Sequence, residues 1–411
     1  MKYLAVLGRQ PEISIAELEA LFSDMQILDG SCRLFSFPKY DGIFGDPLPE
    51  PSPVHVIRFE TSNVVTIARL GGTLKLAVEL VEKPLEYLQG LPEGKITLGV
   101  SDYSKKASRK SVQQEALKLK RVLVKQGRSV RVVENKEAAL STATSLHNGL
   151  SGKNERKIEL IKVDDGWYRV IGVQDIDAYA KRDQARPARD AKVGMLPPKL
   201  AQILINLCGP LSEGSVILDP FCGTGVVLQE AILMGYHAYG TDVSKRMVEY
   251  SQKNLKWFLS EHCDQRGACS SEPRNDGRER EREERNLFQV QVGDATTFQW
   301  EQPIDAVACE GYLGKPFSKI PTEMELKEQK QECGTIVLGF LKNLVSQIKT
   351  ETPVTIAAPA WLRENGEYSR LEIVDEIEKL GYNVNNKTRE GLLYHREKQV
   401  VARDILILRK K

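Results

Sequence analysis

Residues Ser215 to Asp242 read SVILDPFCGTGVVLQEAILMGYHAYGTD, and this stretch decides the fold. A short apolar run, SVIL, ends in Asp219 and breaks into a turn holding Gly223 and Gly225. A helical pattern, VVLQEAILM, follows and stops at Gly235, and a second strand pattern, HAYGT, ends in another acid, Asp242. Strand, turn, helix and strand make one βαβ half of an open parallel sheet, whose ligand sits at the carboxyl ends of the strands. Gly223 and Gly225 can take backbone angles that side-chained residues avoid, and without a Cβ the chain can press against a ligand.

The acids narrow the ligand. Asp242, at the tip of the second strand, suits a bidentate hydrogen bond to two ribose hydroxyls. Asp219 stands where a carboxylate can hold an ammonium group. A nicotinamide cofactor would instead place a pyrophosphate here, cradled by G-x-G-x-x-G at a helix N-terminus. The turn reads D-P-F-C-G-T-G-V-V, which lacks the third glycine, and an anionic Asp219 repels a pyrophosphate. S-adenosylmethionine carries an amino group and no phosphate, and fits both features better. FQVQVGDATTF alternates like a strand and ends at Asp294, an acceptor for an adenine amine. The cofactor set expected is therefore Asp219, Phe221, Gly223, Gly225, Asp242, Asp294 and Ala295.

The next strand pattern, PIDAVACE, ends at Glu310 and runs on into Gly311, Tyr312, Leu313 and Gly314. The end of the fourth strand in such a sheet lies beside the reactive end of the cofactor. Glu310 and the Gly311 carbonyl can there accept hydrogen bonds from an exocyclic amine, and Tyr312 offers a ring to stack on a base. Glu310, Gly311 and Tyr312 are the expected catalytic residues.

Several segments resemble the THUMP-containing tRNA guanine-N2 methyltransferases. MKYLAVLGRQPEISIAELEALF is similar to that family's opening strand and helix, and RLGGTLKLAVEL to the start of its THUMP region. GMLPPKLAQILINL resembles the helix before the catalytic sheet, LDPFCGTG the cofactor loop, and LLYHREKQVVARDILILRK the terminal hairpin. The resemblance implies an α/β chain. Its catalytic half is a Rossmann-like class I methyltransferase domain, a mostly parallel seven-stranded sheet with a terminal antiparallel hairpin. An α+β ferredoxin-like and THUMP-like RNA-binding region precedes it, and the implied substrate is a tRNA. The family's amine-methylating motif is typically Asp-Pro-Pro-Tyr-Gly; the matching positions here are Glu310-Gly311-Tyr312-Leu313-Gly314. A glutamate reaches about one bond further, and a misplacement near 1 Å can cost on the order of 10²-fold in rate. Two other readings stay open: a protein that retains the cofactor fold but only binds RNA, and an adenine-N6 methyltransferase.

Composition sets the outer bounds. At 411 residues the chain has room for two or three domains, and 41% hydrophobic with 28% charged residues is ordinary for a water-soluble protein. The opening MKYLAVLG is too short an apolar stretch for a signal peptide, and no apolar run reaches membrane-spanning length. Seven cysteines with no C-x-x-C argue against a disulfide framework and a zinc knuckle, and point to reduced thiols in the cytoplasm. No Pro-Cys pair occurs, which counts against cysteine-nucleophile chemistry; Cys222 and Cys309 read as packing residues.

Net charge is only +2, so a nucleic-acid surface must be local. Lys105 to Arg131 holds ten Lys or Arg against a single acid, Glu115. Within it Lys105, Lys106, Arg109 and Lys110 are the expected RNA contacts. Residues 1–178 are expected to be the RNA-binding region, 179–192 a polar, basic linker, and 193–411 the catalytic domain. Within the last, 261–286 is densely charged and nearly devoid of apolar residues, the composition of a disordered insertion. Thr322 to Lys349 reads as one long helix or two shorter ones, and YSRLEIVDEIEKL as a helix.

Overall fold

KYLAVL, rich in residues that favour a half-buried strand, forms the first strand of a computed structural model. The structure describes residues 1–28, 33–36, 53–190, 195–262, 287–385, 392–396 and 399–411. Most of the charged 261–286 stretch, with Cys263 and Cys269, lies outside them, as do residues 191–194 and the proline-rich 38–52. Contacts divide the chain into two units, Met1–Ala178 and Tyr179–Lys411.

The first unit runs β1 (Lys2–Leu7), α1 (Pro11–Leu21), β2 (Gln26–Ile27), β3 (Arg33–Ser36), β4 (Pro53–Glu60), β5 (Thr73–Glu79), α2 (Pro84–Gln89) and β6 (Ile96–Asp102). It continues through α3 (Arg109–Lys125), β7 (Val130–Val132), α4 (Thr142–His147), β8 (Lys157–Val163) and β9 (Gly166–Val173). Its strands form one nine-stranded sheet in the order β2-β4-β1-β5-β9-β8-β6-β7, with β3 against β4. Antiparallel pairing of β5 with β9 joins the segments expected as a ferredoxin-like piece and a THUMP-like piece into a single sheet. A fully buried ion pair sits in that unit. Lys75 Nζ lies 2.6 Å from Glu159 Oε1 and 2.7 Å from the Leu140 carbonyl, and the Ser101 and Ser145 hydroxyls donate to the same carboxylate.

The helix α5 (Ile176–Gln184) leads into the second unit, followed by α6 (Pro198–Asn206), β10 (Val216–Asp219), α7 (Val226–Leu233), β11 (His237–Asp242), α8 (Lys245–His262), β12 (Phe288–Val292) and β13 (Ala306–Glu310). Then come α9 (Glu323–Leu344), β14 (Pro353–Leu362), β15 (Tyr368–Arg370), α10 (Val374–Lys379), β16 (Tyr382–Val384), β17 (Leu393–Tyr394) and β18 (Val401–Lys410). The sheet order is β12-β11-β10-β13-β14-β18-β16. The first five strands are parallel and β18 is antiparallel to both its neighbours.

Strands covered on both faces carry continuous apolar runs. β14 is buried along nine of its ten residues, Pro353 to Trp361. Two departures from the sequence reading have simple causes. Tyr368–Arg370, expected to begin a helix, instead pairs with the end of β14, Arg370 opposite Ala360, and the helix starts only at Val374. The strand expected to end at Asp294 ends at Val292, because the Asp294 side chain caps a turn.

The chain leaves β10 for β11 and β12 on one side and returns to β13 on the other. The switch point thus falls between β10 and β13, and in open sheets of this kind ligands bind beyond the carboxyl ends of the strands there.

Breaking a buried ion pair by removing one partner costs about 3–5 kcal/mol. Lys75→Met is therefore expected to lower the stability of the first unit by that amount, read from hydrogen exchange of the β5 and β8 amides. A loss below about 1 kcal/mol would show that the pair contributes little.

Candidate active site at the strand ends

Four carboxylates stand at or just past the carboxyl ends of four neighbouring parallel strands: Asp294, Asp242, Asp219 and Glu310, in the spatial order of β12, β11, β10 and β13. Asp219 is 2% exposed. Burial first, then the charges of Asp242 and Glu310, push its carboxyl well above the usual carboxylate range, while the Phe221 N–H at 3.1 Å pulls the other way. Asp242 is half-buried and also raised by burial. Its two oxygens accept the Gly223 N–H at 2.9 Å and the Ser244 N–H at 2.8 Å, which fix the carboxylate at the mouth of the glycine turn. Asp294 is exposed and held below the usual range by the Thr296 N–H and hydroxyl, both on Oδ1. Ala295 beside it is buried, and its carbonyl accepts from Asn343 Nδ2 at 3.0 Å.

The two glycines of the turn act differently. Gly223, at φ +49°, would place a Cβ in ordinary contact with the Phe221 carbonyl at 3.9 Å and against nothing closer. Gly225, at φ +83°, opens α7, and a Cβ there would strike Ser251 on α8, so this glycine lets two helices close on each other. Phe221 turns its ring edge-on to Phe340, centroids 5.4 Å apart, and so ties the turn to α9.

At the end of β13 the Gly311 N–H bonds the Ala357 carbonyl at 3.0 Å, extending the ladder by one rung. A Cβ on Gly311 would meet only ordinary contacts, whereas Gly314, at φ +79°, would collide with Gln329. Gln329 accepts the Lys315 N–H at 2.7 Å and donates to Glu332, which in turn accepts the Tyr312 hydroxyl at 3.2 Å. The loop that lacks the two prolines is thus fastened to α9 by side chains instead.

Glu310 carries the main surprise. Arg403 Nε on β18 reaches its Oε1 at 2.5 Å, with side chains 7% and 16% exposed respectively. Burial raises the Glu310 carboxyl and the guanidinium opposes that rise. No local signal marks Arg403, which is 93 residues away in sequence.

Residues 179–190, read as a linker, are instead tied to the catalytic unit, with Tyr179 to Gln184 continuing α5. Arg182 forms a buried pair with Glu230 at 2.6 Å, and Arg186 Nη1 donates to the Thr224 hydroxyl of the glycine turn at 3.1 Å. Asn254 bonds the Ala188 and Thr224 carbonyls, each at 2.9 Å, and Arg246 pairs with Asp190. Polar, basic composition suggested a linker; here Arg182 is matched by buried Glu230 and Arg186 by the hydroxyl of Thr224.

Lys105 and Lys106, in the turn before α3, and Lys110, in its first turn, are exposed. Arg109, also exposed, pairs with Glu134 at 3.0 Å, an interaction weak enough for a phosphate to displace. A groove of about 610 Å³ in the same unit, lined by residues that include Glu79, Glu115, Lys118 and Trp167, mixes both charge signs and holds none of the strand-end carboxylates. Cys222 and Cys309 are buried, with thiols raised well above the usual range by burial and nearby carboxylates, so neither suits a nucleophile. Among the described residues there is no cluster able to hold a metal ion and no helix long and apolar enough to cross a membrane.

Sheet order and strand-end acids together define a Rossmann-like class I methyltransferase fold. Residues 186–310 match the family UPF0020, described as an RMKL-like methyltransferase domain. The chain is 27% identical over 266 residues to a tRNA (guanine(10)-N2)-dimethyltransferase of Pyrococcus abyssi, covering 63% of this chain and 68% of that one. It is 46% identical over 78 residues to the protein of the same name from Methanothermobacter thermautotrophicus, covering 18% and 23%. That second match spans less than a quarter of the relative's length. TrmN from Thermus thermophilus superposes with a TM-score of 0.42 at 14% identity over the full length of both chains.

A carboxyl raised by burial stabilises the fold below its unfolded value and loses that contribution as pH rises through its folded value. At neutral pH, ligand-free Asp219→Asn should therefore melt no lower than the wild type. The two curves should converge as pH falls toward the ordinary carboxylate range. A variant less stable at pH 7 would contradict the burial assigned to Asp219.

Proposed function

We propose that the protein is an S-adenosylmethionine-dependent RNA methyltransferase that modifies the exocyclic N2 amine of a guanosine in tRNA, in the cytoplasm. The observation that carries this reading is the excess of acid at the switch point. Asp219, Asp242 and Glu310 converge there, and among the described residues the cation paired with them, Arg403, is matched to Glu310. Such a pocket favours a cationic ligand and disfavours a pyrophosphate.

The residues present fit the donor. Asp219 would hold its ammonium group, Asp242 its ribose hydroxyls and Asp294 its adenine amine, with Phe221 and the backbone of Gly223, Gly225 and Ala295 shaping the walls. Each Asp242 oxygen keeps a lone pair beyond its backbone bond. When bound, the donor supplies an electrophilic methyl group. The protein's own task is then to orient and desolvate the target nitrogen. Glu310 and the Gly311 carbonyl accept its hydrogens, Glu310 is the adjacent acceptor for the departing proton, and Tyr312 lines the base side. The names of the archaeal relatives support guanine-N2 as the target, and the mostly basic Lys105–Arg131 stretch supports RNA as the bearer.

Incubation with labelled donor and undermodified tRNA should yield N2-methylguanosine by mass analysis, and Glu310→Ala should abolish it. Methylated adenine would instead favour N6 chemistry; no incorporation would leave only binding. Tight binding of a labelled donor should fall by roughly 10-fold or more in Asp219→Asn, the loss of one charge-assisted hydrogen bond.

Four phosphate contacts from Lys105, Lys106, Arg109 and Lys110 on a single-stranded end predict a slope of about −3 in log affinity against log salt, at ~0.7 per contact. A slope unchanged in the quadruple alanine variant removes the assignment.

A further inference from the structure

Glu310 and Arg403 are not on adjacent strands. β14 lies between them, with Ala357 opposite both Glu310 and Ile405, and Pro359 opposite Arg403. That register places Glu310, Ala357, Pro359 and Arg403 on one face of the sheet. Two strand spacings amount to about 9.6 Å, a gap that a long acid and a long base can close over a small residue such as Ala357. An aspartate at position 310 would fall about one bond short. Asp404 points to the opposite face, where Arg370 lies 3.5 Å from it, so that ion pair is separate.

The bond is made by Nε to Oε1, which leaves Oε2 for a substrate amine. We propose that Arg403 is a positioning residue: it anchors one oxygen of Glu310 and turns the other to the target nitrogen. On this account the glutamate is matched to an arginine two strands away, and the pair replaces a shorter acid set in a proline-stiffened turn. The inference rests on the role given to Glu310 above and extends it to a residue outside residues 186–310, the span of the family match.

The charged groups facing Glu310 are Arg403 from β18 and Asp219 from β10, with Ala357 of β14 contributing none; on its own loop the Tyr312 hydroxyl is bonded to Glu332 of α9. Of these, only Arg403 favours the carboxylate. A buried acid that must accept a hydrogen bond from an amine is useless when protonated, so loss of the guanidinium should move Glu310 protonation to higher pH.

The direct test is a ¹³C NMR titration of the Glu310 carboxyl in the wild type, Arg403→Gln and Arg403→Lys, with the resonance assigned by its loss in Glu310→Gln. The expected result is a midpoint raised by about one unit or more in Arg403→Gln, and partly restored in Arg403→Lys. In parallel, Arg403→Gln should lower kcat by on the order of 10²-fold with KM within about threefold, and shift the acid limb of kcat upward. Glu310→Asp provides a second variant that leaves Arg403 in place. It restores the acid of the related motif and should nonetheless lose activity, because the reach to Arg403 is lost.

An unchanged Glu310 titration in Arg403→Gln, or full activity in Glu310→Asp, overturns the proposal. A midpoint raised in Arg403→Gln, together with a wild type that methylates no RNA, would keep the pair and sink the proposed function. Methylation with an unmoved midpoint would do the reverse.

Discussion

Burying negative charge at the ends of parallel strands is the constraint on which this structure turns. A carboxylate removed from water is costly unless paired or hydrogen-bonded, and Asp219 has one backbone N–H while feeling two further acids. The fold tolerates this because the surrounding sheet is rigid: β10 and β13 are locked by parallel ladders, and β14 is buried almost throughout. What is unfavourable in the ligand-free chain is favourable toward a cation. On the proposed function, stability given up at the strand ends is recovered when a positively charged donor enters.

Around that pocket the loops are held by side chains rather than by sequence-local turns. The glycine turn is fixed from below by Asn254 and Arg186 on Thr224, and at its mouth by Asp242. The loop after β13 is fixed by Gln329 and Glu332 of α9, and Glu310 by Arg403. Donors and acceptors placed in advance need no reorganisation when a substrate arrives, which is how a site of this kind contributes to rate. The missing prolines of the related motif are therefore offset by contacts drawn from elsewhere in the chain.

The parts of this arrangement that were legible in the sequence were local ones. Two strands, a glycine turn and a helix sit within one window of 28 residues, Ser215 to Asp242, so their spacing alone indicated the sheet and two of its acids. The alternation in FQVQV marked β12, although its end was misplaced because Asp294 looks the same at a strand tip as in a turn. What stayed hidden was long-range. Arg403 reads as one more basic residue in a terminal strand until β14 and β18 are paired. Arg182 and Arg186 read as a charged tether until Glu230 and Thr224 are brought beneath them. Tyr368–Arg370 fitted a helical period, and only the free edge at the end of β14 drew it into a strand.

The acids at the strand ends are expected to select a sulfonium donor over a dinucleotide. Isothermal titration of the purified chain with the sulfonium donor, and separately with nicotinamide adenine dinucleotide, tests this selection without reference to any substrate. The account requires stoichiometric uptake of the donor, weakened when Asp242 is replaced by alanine, and no heat from the dinucleotide. Uptake of the dinucleotide with indifference to the donor would contradict it.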